Sequence, residues 1–316
     1  MTSPAFPLPP VALPPIRWPA ETIWQAVAPL LPSFTVEVLP EIDSTNSELM
    51  RRFKGAPGRP PQWDPVLLVA EQQSAGRGRL GRSWQSRRAG SLTFSLGLPF
   101  EPVDWSGLSL AVGISVADSL EPLAVVGESR PDSPPRIGLK WPNDLWLTTA
   151  QGERKLGGIL VETASWEGRR FVVIGVGINI RPMPLPMPMP VAGLVNPVVD
   201  PFANPFITAV APGSLQELQA GLDAPTALLR IVPALVQTMQ AFEQFGFQPF
   251  QARFAARDVL SSRAVQLSGG TAGTAHGVGE NGALRVLTTS GMVEVTSAEV
   301  SVRPVAPRPQ KSEPPC

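Results

Sequence analysis

Cysteine and histidine are almost missing from this sequence of 316 residues, and their scarcity excludes several kinds of site. The single cysteine is Cys316, the last residue, so no disulfide can form within the chain, and a reducing compartment fits this usage. The single histidine is His276, for which we predict an ordinary surface position. Because no group of histidines and cysteines exists, the sequence excludes a zinc site of that kind.

Net charge and long apolar runs are also missing. Lysine and arginine together number 26, as do aspartate and glutamate, so the whole chain has no general attraction to nucleic acid or an anionic membrane. No run of about 18 apolar residues predicts a membrane span. The first 20 residues lack an early positive cluster and are broken by prolines, which excludes the apolar core of a signal peptide. We therefore expect a soluble, cytoplasmic protein in which any polyanion site is local.

Proline, by contrast, is abundant and clustered. The 38 prolines crowd into residues 1–20, 56–65, 131–135, 181–205 and 304–315. Because proline removes an amide donor and disrupts helix interiors, these stretches are predicted to be surface loops and tails.

Helical periodicity appears between the proline clusters. It predicts helices over 22–30, 45–53, 108–120 and from about Pro225 to Phe242, the last containing Pro233. The second helix starts with the spacing of a capping box, in which Thr45 is followed by Glu48.

Short apolar or alternating runs predict the strands of a sheet, which gives an α/β (α+β) protein. They cover residues 35–39, 66–70, 91–98, 137–141, 144–147, 157–163 and 170–180. Linkers between the last four runs are too short for crossover helices, so much of this sheet is predicted to be antiparallel.

The pattern changes after Asp258. Short alternating runs follow, separated by glycine-rich turns such as Glu280-Asn281-Gly282. This pattern of short strands and glycine-rich turns predicts a small β-barrel of about 50 residues after one larger domain.

The most informative segment is AEQQSAGRGRLGRSW, residues 70–84, in which arginines alternate with glycines. Glycines allow the backbone to approach a ligand closely, and guanidinium groups bind phosphate or carboxylate through paired donors. With Arg87 and Arg88, the segment carries five positive charges in twelve residues and no acid among them. We expect this loop to be mobile without a ligand and to become ordered over a phosphate.

Three other interpretations of this loop remain open. It could be a solvated basic turn, or a platform for single-stranded nucleic acid on which Trp84 stacks against bases. Its glycines also satisfy the dinucleotide motif G-x-G-x-x-G, which requires a strand directly before and a helix directly after. Here four residues separate the strand from the glycines and a strand is predicted to follow, which disfavours a Rossmann-type oxidoreductase.

Five segments resemble, in order and in approximate spacing, the catalytic domain of biotin–protein ligases. They are EIDSTNSE (41–48), AEQQSAGRGRLGRSW (70–84), LKWPNDLWL (139–147), RKLGGILVE (154–162) and VIGVGINI (173–180). The arginine–glycine string and K-W-P-N-D are typical of the biotin branch rather than of the related lipoate–protein ligases. The resemblance is close over residues 35–180 and loose over 214–303.

The resemblance implies a fold and a set of domain boundaries. It implies a catalytic domain like that of class II aminoacyl-tRNA synthetases, with a mixed, largely antiparallel sheet, followed by a small SH3-like β-barrel. The expected divisions are a proline-rich and partly disordered segment (1–34), the catalytic domain (35–257) with a proline-rich loop (181–213), the barrel (258–304) and a disordered tail (305–316).

The resemblance also implies roles for individual residues. Implied to bind biotin are Ser44, Thr45, Asn46, Gln73, Gly76, Arg77, Gly78, Arg79 and Lys155. Implied to bind ATP or the adenylate are Arg77, Arg79, Arg82, Trp84, Asn143, Lys155, Asn179 and Arg303. Lys155, Arg79 and Asp144 are implied to act in catalysis. Simpler interpretations stay open, since Ser44 and Thr45 can serve only as helix caps and Asn143-Asp144 can be an ordinary turn.

The implied reaction has two steps. Biotin and ATP form biotinyl-5'-AMP and pyrophosphate, and the biotinyl group then passes to a lysine of a biotin carboxyl carrier protein of acetyl-CoA carboxylase. ATP and Mg²⁺ are the expected cofactors, with the metal bound through phosphates and Asp144 as a candidate protein ligand. The implied state is a monomer or homodimer. The alternatives are a lipoate or octanoate ligase of the same superfamily and, outside enzymes, a nucleic-acid-binding module.

The sequence departs from the familiar pattern at two places. Asp144 and Lys155 are separated by four more residues than usual, which predicts a longer hairpin between them. About 34 proline-rich residues precede the first matching strand, too few for the winged helix-turn-helix that many members carry. We therefore expect the form without a DNA-binding domain, which has no repressor activity.

Overall fold

A seven-stranded sheet with helices on both faces forms the larger part of the protein. A computed structural model describes residues 15–55, 60–123, 135–150, 152–183, 212–268 and 270–296, and the backbone of a strand at 302–304. The predicted tail (305–316) and most of the predicted proline-rich loop (181–213) lie outside the described residues. The helices are α1 (Ala20–Val27), α2 (Thr45–Lys54), α3 (Leu108–Leu120), α4 (Ala224–Phe245) and α5 (Gln251–Ala255).

The large sheet contains the strands predicted between residues 35 and 180. They are β1 (Thr35–Ile42), β2 (Val66–Gln73), β3 (Ser91–Pro99), β4 (Ile137–Lys140), β5 (Asp144–Thr149), β6 (Gly152–Trp166) and β7 (Arg169–Asn179). Their order is β1-β2-β3-β7-β6-β5-β4. Only the pair β1–β2 is parallel, and the other five pairs are antiparallel. The predicted mixed, largely antiparallel sheet is confirmed.

Side chains alternate between the two faces of this sheet, as strand geometry requires. On β7, Val172 and Ile174 point into the main core with α3 and α4, while Phe171 and Val173 point into a smaller core under α2. Phe53 of α2 stacks on Phe171 at 4.9 Å between ring centroids. Among the described helices, α2 is the one that packs on this face of the sheet, and it leaves space beside its N-terminus.

The start of α2 differs by one residue from the predicted capping box. Ser44 is the N-cap, and its side chain accepts a hydrogen bond from the backbone N–H of Ser47. Thr45 is instead the first helical residue and is buried. The predicted helix itself is confirmed, and the shift of the cap frees the Thr45 hydroxyl for another contact.

The predicted long helix runs as one element through its internal proline. α4 has 22 residues, includes Pro233, and begins after Asp223, whose carboxylate accepts from the backbone N–H of Thr226 at 2.9 Å. Burial of one apolar face, including Leu228, Leu235 and Phe242, offsets the hydrogen bond that Pro233 cannot donate. None of the described helices is long and apolar enough to cross a membrane.

The end of the chain forms a second, antiparallel sheet. Its strands are β8 (Ala264–Leu267), β9 (Ala272–Val278), β10 (Leu284–Thr288), β11 (Gly291–Val295) and β12 (Val302–Pro304), in the order β11-β10-β9-β8-β12. The indole of Trp141 donates to the backbone oxygen of Gly282 at 3.0 Å and ties this sheet to the large one. His276 lies on β9 and is exposed.

Candidate functional site

A cleft of about 490 Å³ opens on the α2 face of the large sheet. It brings together segments that are far apart in the chain: the start of α2, the arginine–glycine loop, the β4–β5 turn and strands β6 and β7. Among its lining residues are Ser44, Thr45, Asn46, Gln73, Arg77, Gly78, Arg79, Arg82, Trp84, Lys140, Asn143, Asp144, Lys155 and Gly177.

Hydroxyl and amide groups line the cleft beside α2. The side-chain oxygen of Gln73 accepts from the backbone N–H of Thr45 at 2.8 Å and lies 3.2 Å from the Thr45 hydroxyl. The hydroxyl of Ser95, fully buried on β3, lies 2.7 Å from the Thr45 hydroxyl and 2.6 Å from Oδ1 of Asn46. These short contacts hold the polar groups in one orientation.

Asn46 is held at its other end as well. Its Nδ2 donates to the backbone oxygen of Leu160 at 3.2 Å and to Oε2 of Glu162 at 3.0 Å. Beneath it lies Gly175, where a Cβ atom would collide with the Asn46 amide. The close approach of α2 to β7 therefore requires glycine at this position.

The arginine–glycine loop folds as a short hairpin over the cleft. Arg77 and Ser83 form an isolated antiparallel bridge, the N–H of Gly78 donates to the Arg82 oxygen at 2.7 Å, and the N–H of Trp84 donates to the Gly76 oxygen at 2.8 Å. At the tip, Leu80 and Gly81 both have positive φ, 56° and 71°. No α-helix follows the glycines before β3, so the dinucleotide-binding interpretation is excluded.

The arginines of this loop have different partners. The guanidinium of Arg77 forms an ion pair with Glu162 at 3.0 Å. Arg79 donates to Oδ1 of Asn143 at 3.3 Å. Burial, together with the like charge of Arg82, lowers the pKa of Arg79, while the carboxylate of Asp144 acts in the opposite direction. A guanidinium that is partly desolvated beside another cation gains from an anion in the cleft.

Two buried polar atoms lie beside β7 without a hydrogen-bond partner among the described residues. They are Nε1 of Trp84 and Oδ1 of Asn179. The Trp84 ring lies against Gly177, where a Cβ would come within 2.5 Å of it. The other end of the Asn179 amide donates to the Gly213 oxygen at 3.1 Å, so Oδ1 is left as an acceptor.

The β5–β6 hairpin forms the far wall of the cleft. Its strands pair from Asp144–Gly158 to Thr149–Gly152, which confirms the longer hairpin predicted between Asp144 and Lys155. The Lys155 ammonium lies 2.8 Å from Oδ1 of Asp144. Nearby, the Lys140 ammonium lies 4.7 Å from the ring centroid of Trp146.

The structure places most of the predicted site residues in this cleft. Lining it are Ser44, Thr45, Asn46, Gln73, Arg77, Gly78, Arg79, Arg82, Trp84, Asn143, Asp144 and Lys155. Gly76 is at the base of the loop and Asn179 is at the buried end of β7, and neither belongs to this lining. Arg303 lies on β12, whose side chains are outside the described part of the chain.

Several residues that build the site were not predicted. Ser95, Lys140 and Glu162 contact or line the cleft, and Gly175 and Gly177 leave space on one face of β7. The alternation of glycines in VIGVGINI was a usable signal, because positions two apart on a strand share a face. Within the described residues, no group of three or more His, Cys, Asp or Glu could hold a metal ion.

Comparisons with known proteins find relatives over most of the chain. The profile of the "Biotin/lipoate A/B protein ligase family" matches residues 41–179. The bifunctional ligase/repressor BirA of Escherichia coli is 34% identical over 276 residues, which cover 85% of this chain and 74% of that protein. The biotin–[acetyl-CoA-carboxylase] ligase of Paracoccus denitrificans is 29% identical over 268 residues, which cover 83% and 98%.

A solved structure is similar over the same region. It is the biotin protein ligase from Aquifex aeolicus in complex with biotin and ATP, with a TM-score of 0.63 and 26% identity, covering 85% of this chain and 99% of that one. The match therefore extends well beyond residues 41–179.

Proposed function

The chain belongs to the biotin–protein ligase family, and we propose that its cleft joins biotin to AMP and then transfers the biotinyl group to a lysine of a biotin carboxyl carrier protein. The chain is an ATP-dependent ligase of the biotin–[acetyl-CoA-carboxylase] type. One observation supports the two-step reaction most directly. The same cleft holds a pocket of neutral hydrogen-bonding groups at the start of α2 and, beside it, the cations Arg79, Arg82 and Lys155.

The polar end of the cleft suits the ureido ring of biotin. That ring has one carbonyl acceptor and two N–H donors, and it must exchange water for protein groups when it is buried. Thr45, Asn46 and Gln73 carry hydroxyl and amide groups that can do this, and their contacts with Ser95 and with one another fix the orientation of those groups. An apolar dithiolane ring, as in lipoate, offers these groups no donor or acceptor and would displace water without replacing its hydrogen bonds.

The first step forms a bond between a carboxylate oxygen of biotin and the α-phosphorus of ATP, and it breaks the bond from that phosphorus to pyrophosphate. Negative charge grows on the phosphate oxygens, so fixed cations stabilise the transition state. In this proposal Lys155, on the wall of the cleft, contacts both the biotin carboxylate and the α-phosphate. Arg79 and Arg82, on the loop, close over the phosphates.

The buried atoms beside β7 fit a nucleotide base. Oδ1 of Asn179 is an acceptor that suits an exocyclic amino group, and the Trp84 indole is a flat apolar surface with its own N–H donor. Both atoms lack a partner among the described residues, and a buried polar atom without a partner is costly. We assign the adenine side of ATP to the end of the cleft at Trp84. Asn179 follows Gly177 by two residues on β7 and lies beyond the cleft lining.

Mg²⁺ would supply charge neutralisation on the phosphates. Asp144 is the carboxylate that the cleft offers, and Mg²⁺ is commonly held by one or two carboxylates together with phosphate oxygens. In the second step the amine of the carrier lysine attacks the acyl carbon, and AMP leaves. Asp144 orients that lysine and accepts its proton. After AMP has left and this proton has passed to solvent, the Asp144 carboxylate pairs with Lys155 again.

The finer description of the fold belongs to the same proposal. We assign residues 35–257 to a catalytic domain like that of class II aminoacyl-tRNA synthetases and residues 258–304 to an SH3-like barrel. The meandering order of the second sheet supports the barrel, since β8 to β11 are neighbours in chain order.

The test is transfer of label. The purified protein is mixed with ATP, Mg²⁺, radiolabelled biotin and a biotin carrier domain, and we expect label on the carrier. A carrier whose target lysine is changed to arginine is the matched control and should remain unlabelled. Excess unlabelled lipoate should not compete. If neither biotinyl-adenylate nor labelled carrier forms, or if lipoate is transferred in preference, the proposed function is wrong.

A further inference from the structure

The side chain of Glu162 contacts both Arg77 of the arginine–glycine loop and Asn46 beside the cleft. It lies on β6, and its side chain is 20% exposed. Oε1 accepts from Arg77 at 3.0 Å, while Oε2 accepts from Arg77 at 3.3 Å and from Nδ2 of Asn46 at 3.0 Å. A single carboxylate therefore connects three segments: α2, β6 and the loop.

Arg77 is held differently from the other arginines of the loop. Its backbone forms the bridge with Ser83 at the base of the hairpin, and its guanidinium also donates to the Ser47 hydroxyl at 3.3 Å. Because both the backbone and the guanidinium of Arg77 are bonded, Arg77 fixes the position at which the hairpin leaves the sheet. Arg79, two residues further on, donates instead to Asn143 inside the cleft.

The geometry points to Glu162 as a positioning residue: we propose that it holds the base of the arginine–glycine loop and the amide of Asn46 together, so that closure of the loop is coupled to occupancy of the biotin pocket. This rests on the proposed function. Glu162 need not touch the reacting atoms. Its effect passes through Asn46, whose Oδ1 is fixed by Ser95, and through Arg77, which carries the loop.

The coupling has a physical basis in charge and exposure. The Arg77 side chain is 48% exposed, and a partly exposed ion pair is weak enough to open when products leave. Asn46, in contrast, is buried, so water cannot readily replace Glu162 as its hydrogen-bond partner, and losing that bond would cost free energy. A ligand that contacts Asn46 therefore also acts on Glu162, the acceptor of Arg77.

The first test is the variant Glu162→Gln, which keeps the size of the side chain and removes its charge. We expect KM for biotin to rise about tenfold, the effect of losing one charged hydrogen bond, while kcat for biotin-dependent ATP–pyrophosphate exchange changes less than about threefold. Release of free biotinyl-adenylate should also increase. Glu162→Asp retains the charge and should recover part of the loss.

The matched control is Glu153→Gln. Glu153 lies on the same strand and also forms an ion pair with an arginine, but that arginine, Arg263, does not line the cleft, whereas Arg77 and Asn46 do. We expect wild-type kinetics for it. Thermal melting of both variants shows whether each is folded at the assay temperature. In a folded variant, a change in KM without a matching change in kcat reports a loss of positioning.

A double-mutant cycle completes the test. If Glu162 acts through Arg77, then Glu162→Gln combined with Arg77→Ala raises KM no more than the larger single change. The positioning role is wrong if the two single effects on KM multiply in the double variant, or if Glu162→Gln has the same kinetics as Glu153→Gln. In either case, transfer of biotin to the carrier by the wild type would leave the proposed function intact. Absence of transfer by the wild type would overturn both.

Discussion

The ammonium of Lys155 and the carboxylate of Asp144 lie 2.8 Å apart across the β5–β6 hairpin, at the wall of the cleft. The Lys155 side chain is 44% exposed, so the pair is open to solvent and can separate. A lysine whose ion pair can open is suited to binding a different negative group at each step of a reaction. The pair therefore holds a cation at the wall of the cleft that can turn toward an anion bound there.

The first prediction concerns that cation. Lys155→Ala is expected to lower the rate of biotinyl-adenylate formation about 10²–10³-fold, since it removes one preorganised donor to the developing phosphate charge. The burst of pyrophosphate release in rapid-quench experiments measures this rate. Lys54→Ala, at an exposed position at the end of α2, is the control and should keep the wild-type burst. An unchanged burst for Lys155→Ala removes Lys155 from the mechanism.

The second prediction concerns the loop as a lid. Arg79→Ala is expected to weaken biotin binding about tenfold and to increase escape of free biotinyl-adenylate, because Arg79 connects the loop to Asn143. Calorimetry measures the affinity, and chromatography of the reaction mixture measures the escaped adenylate. Arg285→Ala, which breaks an exposed pair with Glu294 on the second sheet, should change neither. Wild-type affinity with no escape would contradict the lid.

The third prediction concerns the glycine beneath Trp84. A Cβ at Gly177 would come within 2.5 Å of the indole ring, so Gly177→Ala must displace Trp84 or the strand. We expect a loss of about 1–3 kcal/mol in unfolding free energy and a higher KM for ATP. Gly221→Ala serves as the control, because nothing lies within 4 Å of a Cβ there. Normal ATP binding by a stable Gly177→Ala protein would show that Trp84 does not contribute to the nucleotide site.

The fourth prediction is a pH dependence of stability away from the cleft. Burial raises the pKa of Asp258 to about 6, although its Oδ1 accepts from the backbone N–H of Leu260 and Arg263 favours the charged form. The folded protein therefore holds this proton more tightly than the unfolded chain, whose carboxyl has a pKa near 3.8. The stabilisation is complete below that value and is lost as pH rises through about 6.

Asp258→Asn removes this titration. Relative to wild type, its melting temperature should rise between pH 4 and pH 7, by the equivalent of on the order of 2–3 kcal/mol. Asp223→Asn, which changes an exposed helix cap, is a control that should not reproduce this pH profile. A difference between Asp258→Asn and wild type that is constant across this range would contradict the pKa shift.

Local patterns predicted most elements because each pattern needs only neighbours in the chain. The alternation in 170–180 and the helical spacing of 108–120 correspond to β7 and α3 within one or two residues at each end. The cap of α2 was misplaced by one residue, since Ser44 and Thr45 are both good caps and only the backbone angles at Ser44 decide between them.

The sequence by itself determined which residues could form this site. The arginine–glycine spacing, K-W-P-N-D and Lys155 lie in short segments, and the chemistry of each segment can be interpreted without the others. The tertiary structure alone decided which of them act together. Ser95 reaches Asn46 across 49 positions, and Arg77 reaches Glu162 across 85. Such contacts depend on strand order and register, which place distant residues side by side. The type of a residue does not determine which distant residue it will contact.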